Sequence, residues 1–132
     1  MKSIFELGYR YLYPSLRREL AEMLYKIYDV DQGAIAEILG LSQSAISRYV
    51  TSKRGSLINL SRFKDVKEEI KALAEKVASG EIDKYTVQAE LVRIALKVLG
   101  KGYFCAYHRK LDDEVDVSKC RICTTLFKLF ST

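Results

Sequence analysis

Scarcities set the first bounds on this chain. One proline and seven glycines in 132 residues exclude a proline- or glycine-rich low-complexity chain. Tryptophan is absent, and no apolar run approaches the roughly 20 residues that a membrane span needs. Met1 to Pro14 has neither a signal-like apolar core nor a cleavage site, so a cytoplasmic protein without membrane contact is expected. With a single histidine, no paired carboxylates in an apolar setting and no phosphate-binding glycine loop, little is left for catalysis, and no enzyme is expected. Acidic residues are missing altogether from Ile38 to Lys64.

What is present fits one domain, or a compact core with a small appendage, since 48% of the residues are apolar. The formal net charge is +5 and the pI is near 9.1. That excess is local, because the acid-free stretch carries Arg48, Lys53, Arg54, Arg62 and Lys64. Such a run is either an ordinary solvated face or a surface that neutralises phosphates.

Overlapping it, Gln32 to Leu39 and Gln43 to Thr51 carry alanine and branched apolar residues at helical spacing, and Gly40, Leu41 and Ser42 separate them. Gly40 can take the positive φ that closes the first helix, and Ser42 can cap the second. Ala36 offers the small side chain that two steeply crossing helices need, and Leu41 and Ile46 would fill the space beneath. With Ile46 inward, Gln43, Ser44, Ser47 and Arg48 turn outward, and these residue types read base edges or hold phosphates.

The pattern resembles the phage-repressor-like helix-turn-helix family. Gln32, Ile35, Ala36, Leu39, Gly40, Ser42, Gln43, Ile46, Ser47 and Tyr49 stand where that family places like residues. Tyr13-Pro14, Lys53-Arg54-Gly55 and a Cys/His tail look like a group of archaeal predicted transcriptional regulators. The resemblance implies an all-α, repressor-like bundle whose second helix enters the DNA major groove, with Gln32 on a phosphate.

Flanking segments complete such a bundle. Ile4, Leu7, Tyr11 and Leu12 can share one helical face; Pro14 is expected to stop that segment and can sit in the first turn of the next. From Ser15 to Tyr28, Leu16, Leu20, Met23, Leu24 and Ile27 make one buried stripe. Phe63, Val66, Ile70, Leu73, Ala74 and Val77 make another, ended by Gly80. Asp83 to Leu99 reads as a helix whose Leu91, Val92, Ile94, Ala95, Leu96, Val98 and Leu99 exceed what one face of a monomer covers. It is either the central helix of the bundle or part of a dimer interface.

Gly100-Lys101-Gly102 is expected to break that helix and divide the chain into residues 1–100, with the helix-turn-helix at 32–52, and a tail at 101–132. The tail holds all three cysteines and the histidine: Cys105 and His108 are separated by two residues, as are Cys120 and Cys123. Two such knuckles can point four ligands at one ion. Zinc suits the set, an iron-sulfur cluster is the rival, and a metal-free redox dithiol is the third possibility. The loop with Asp112, Asp113, Glu114 and Asp116 should be solvated. A metal or cluster would be either structural, fixing Leu126, Phe127, Leu129 and Phe130 for docking, or sensory, its loss releasing that apolar tail and altering the dimer.

Together these readings predict a homodimeric regulator that binds double-stranded DNA in a sequence-specific way. Gln43, Ser44, Ser47 and Arg48 would contact bases and nearby phosphates, while Gln32, Lys53 and Arg54 would hold the backbone. The alternative is an adaptor that binds protein or RNA through the bundle and a zinc knuckle.

Overall fold

Leu16, Leu20 and Leu24 are fully buried at successive turns of one helix, around which the others pack. The computed structural model describes residues 1–51 and 58–132, all helix and turn among these residues. In chain order they are α1 (Ile4–Leu7), a π-helical turn (Gly8–Leu12), α2 (Tyr13–Lys26), α3 (Gln32–Leu39), α4 (Gln43–Thr51) and a 3-10 turn (Leu60–Arg62). Then come α5 (Lys64–Ala78), α6 (Lys84–Gly100), α7 (Cys105–Leu111), α8 (Ile122–Leu126) and a last 3-10 turn (Lys128–Phe130). α2 packs against α3, α4, α5 and α6.

Pro14 sits in the first turn of α2, as expected, but it does not interrupt the helical path before it. Its ring excludes the carbonyl four residues back, and the chain answers with one wider turn: the Tyr13 N–H donates to Gly8 O, five residues earlier. Ser15 Oγ then donates to Tyr11 O at 2.7 Å. Helix therefore runs through the proline by way of a π turn. At its other end, α2 stops at Lys26 and Asp29 takes a φ of 54°, leaving Ile27 61% exposed rather than in the expected stripe.

α5 buries the expected Val66, Ile70, Leu73, Ala74 and Val77. α6 buries Val87, Leu91, Ile94 and Val98 toward the core but leaves Val92 47% exposed and Ala95 and Leu96 half-buried. One face of α6 thus serves the core, as the central-helix account expects, and a second apolar strip stays accessible. Lys97, in the same apolar run, is buried because its Nζ reaches Glu69 Oε2 on α5 at 3.0 Å. Arg93 Nη2 pairs with the other Glu69 oxygen at 2.9 Å.

The Gly100-Lys101-Gly102 stretch breaks α6 as expected, and the helix ends at Gly100. A Cβ there would lie 2.3 Å from Phe127 O, so its missing side chain lets the C-terminal turn lie across the helix. Gly102, at φ 73°, makes the reversal into α7. Phe104 and Tyr107 then enter the same core as the leucines of α2. Of the four apolar tail residues expected to dock, Phe127 packs against that core. Leu126 and Leu129 are 68% and 89% exposed, and Phe130 is 38% exposed, since the half-buried side of this segment is taken by Cys123, Thr124 and Phe127.

Candidate functional site

α3 and α4 are set by local chemistry. Asp31 caps α3 by accepting from the Gly33 and Ala34 amides at 3.0 and 3.3 Å. Gly40 takes φ 67°, and the Leu41 N–H closes the helix end on Ala36 O at 3.0 Å. Ser42 Oγ accepts from the Ala45 amide at 3.1 Å and starts α4. Ala36, Ile46 and Val50 are buried against α2 and each other, which fixes the rotation of α4.

That rotation decides what faces out. Gln43, Ser44 and Arg48 are exposed, Ser47 is half-buried, and Gln32 is half-buried in the first turn of α3. Among the described residues, Arg48 makes no ion pair, and its side chain stands in solvent with those of Gln43 and Ser44. Lys53 and Arg54 lie outside the described residues. Arg62, from the same basic run, leans on its neighbour: its guanidinium lies over the Phe63 ring at 5.1 Å and Nη1 reaches Tyr107 Oη at 3.4 Å.

In the tail, Cys105 opens α7, His108 follows one turn later, and Cys120 and Cys123 flank the start of α8. All four line one cavity of about 20 Å³, walled by Leu99, Phe104, Val115 and Ile122. A space of that size suits a single small guest. The cysteines are free thiols. Burial, then the neighbouring Cys105 and Cys120 sulfurs, push the Cys123 thiol up to about 11. Burial and Cys120 likewise raise Cys105. Such thiols stay protonated near neutrality and ionise readily only beside a cation.

The four residues share the cavity without converging. Among the described residues, no three His, Cys, Asp or Glu side chains are arranged to hold an ion. His108 is turned so that Nε2 lies 3.3 Å from Lys2 O, and with the proton assigned to Nε2 the lone pair is left on Nδ1.

This contact belongs to a junction that sequence reasoning missed. The Lys2 amide donates to Asp112 Oδ2, and Met1 N pairs with Glu114. Asp112 is therefore buried, not part of a solvated loop, while Asp113, Glu114 and Asp116 are exposed as expected. The hydrogen bond from Lys2, ahead of a smaller opposing effect of burial, holds the Asp112 carboxyl below the usual carboxylate range. A junction between residues more than 100 positions apart leaves no local signal.

Among the described residues, no helix is long and apolar enough to cross a membrane. Comparison of the chain with family models, with curated proteins and with solved structures returned no match.

Proposed function

We propose that the protein is a sequence-specific, double-stranded DNA-binding transcriptional regulator that works as a homodimer. The observation that carries this reading is the exposed row of Gln43, Ser44 and Arg48 on α4, inside a stretch with no acidic residue from Ile38 to Lys64. A helix held by its buried side against two others, with amide, hydroxyl and guanidinium groups outward, has the donors and acceptors that the major groove addresses. Two copies are called for because one such helix reads few base pairs, whereas a two-fold pair reads half-sites one DNA turn apart.

Selection of binding sites from random duplexes, followed by affinity measurements at several salt concentrations, tests the reading. The expected result is a preferred sequence, log–log salt dependence of the affinity, and separable variants. Gln43→Ala should lose about 1 to 3 kcal/mol of discrimination at one or two base pairs, whereas Lys53→Ala should weaken all sequences alike. No sequence preference, or equal loss from both variants on selected and random duplexes, contradicts it.

The tail adds a metal site in this proposal, with Cys105, His108, Cys120 and Cys123 as ligands. Support comes from the shared cavity, its three thiols and the His108 contact, since a metal-bound imidazole commonly donates its other N–H to a backbone carbonyl. Zinc is the first candidate and an iron-sulfur cluster the rival. Zinc would hold α7 and α8 together as a structural centre. Elemental analysis should find one zinc per chain, lost in a Cys120→Ser and Cys123→Ser double variant. A visible absorption band with bound iron would make the group a cluster instead.

A further inference from the structure

We infer that the groove between the N-terminal helical segment and α6 is the surface on which a second copy of this chain docks. The inference deepens the regulator reading, which asks for a dimer without saying which face makes it, but it stands on surface chemistry alone. Ile4, Phe5 and Tyr9 form one bank of the groove and Val92, Ala95 and Leu96 the other, around a hollow of about 240 Å³. No charged residue lines it.

The first argument is area. Phe5 and Tyr9 stand 79% and 78% exposed, and aromatic side chains bury about 150 to 250 Å² each, so these two alone offer roughly 300 Å². Val92, at 47%, and the half-buried Ile4, Tyr13, Ala95, Leu96 and Phe127 bring the total to roughly 500 Å² per chain on the area equivalent of burying such side chains. That is toward the upper end of the largest apolar patch usual on a monomer, roughly 300 to 600 Å². Doubled across a two-fold axis it reaches the roughly 1,000 Å² or more that a specific interface requires.

The second argument is shape. The same surface carries protruding aromatic rings beside an open trough floored by small residues, Gly8 and Ala95. A Cβ placed on Gly8 would meet nothing within 4 Å. A two-fold interface needs a patch that complements itself, and knob and hollow on one face satisfy that condition: Phe5 of each copy can enter the hollow of the other. Exposed aromatics central to such a patch are the residues that dominate association.

Position adds a third. No groove residue belongs to α3 or α4, so the groove makes no use of the outward row of α4. The groove also explains why α6 is apolar on more than one side: Leu91, Ile94 and Val98 serve the core, and Val92, Ala95 and Leu96 serve the partner copy.

Sedimentation velocity of the full chain across the micromolar range tests the assignment. The wild type should sediment as a dimer, and Phe5→Glu or Val92→Glu should weaken dimerisation by about tenfold or more. Circular dichroism should be unchanged, since both side chains are exposed. Lys71→Glu, on the exposed face of α5, should dimerise like wild type. A wild type that is monomeric throughout, because another protein or a small apolar molecule fills the groove, overturns the inference, as do groove variants that dimerise like wild type. Variants that turn monomeric while the wild type shows no sequence preference for DNA would sink the regulator reading and leave the interface standing.

Discussion

Gly100 shows how much can rest on a missing side chain. Alanine is favoured over glycine inside a helix by about 1 kcal/mol, so Gly100→Ala should stabilise the chain if the glycine merely ended α6. The carbonyl of Phe127 crosses where the methyl group would sit, and it belongs to backbone that cannot rotate away. Gly100→Ala is therefore expected to destabilise the protein by about 1 to 3 kcal/mol, as overpacked positions do. Chemical denaturation read by circular dichroism checks the sign. A more stable variant would mean that the C-terminal turn does not lie against α6 in solution.

Between elements, the seam of α5 and α6 combines apolar packing with charge. Asp65, in the first turn of α5, accepts from Lys101 Nζ at 2.8 Å and from Tyr103 Oη at 3.0 and 3.2 Å. Burial opposes ionisation of Asp65, but these hydrogen bonds and the Val66 amide outweigh it and hold its carboxyl below the ordinary value of 3.8. A carboxyl whose folded pKa is depressed adds stability that is fully present above the unfolded value and is lost as pH falls through the folded one. Wild-type thermal stability should thus drop on acidification below about pH 4, and Asp65→Asn should flatten that part of the profile while lowering stability at neutral pH. Melting curves from pH 6 down to pH 2 test this, and parallel profiles for the two proteins would remove Asp65 from the account.

For the whole molecule, the tail's cavity and the groove lie back to back. Leu99 lines both, Phe127 lines the groove a few residues after Cys123 lines the cavity, and Lys2, which meets His108, leads directly into α1. If zinc occupies the cavity and a second copy the groove, each binding event shapes the other's wall, and coupling must run both ways. Stripping the metal with a chelator is expected to weaken dimerisation by about fivefold or more, within the usual range of such couplings. Sedimentation with and without chelator reads this directly. Unchanged dimerisation would confine the metal to holding the tail.

Local order decided what sequence by itself determined. The bounds of α3 and α4, the left-handed Gly40, the Ser42 cap and the inward stripe of α5 each depend on residues within two turns of one another, so periodicity and cap chemistry are enough to read them. The outward row on α4 follows once Ile46 is inward. Pro14 takes the first turn of α2 as its local chemistry allows, but the π turn that carries the helix up to it leaves no mark in the residue spacing. Tertiary structure alone decided the rest: the clearance at Gly100, the burial of Lys97 against Glu69, the Lys2 contact with His108, and the groove that α6 shares with the N-terminal segment. Each depends on atoms brought together from distant parts of the chain, and no spacing along the chain records which distant partner a side chain will meet.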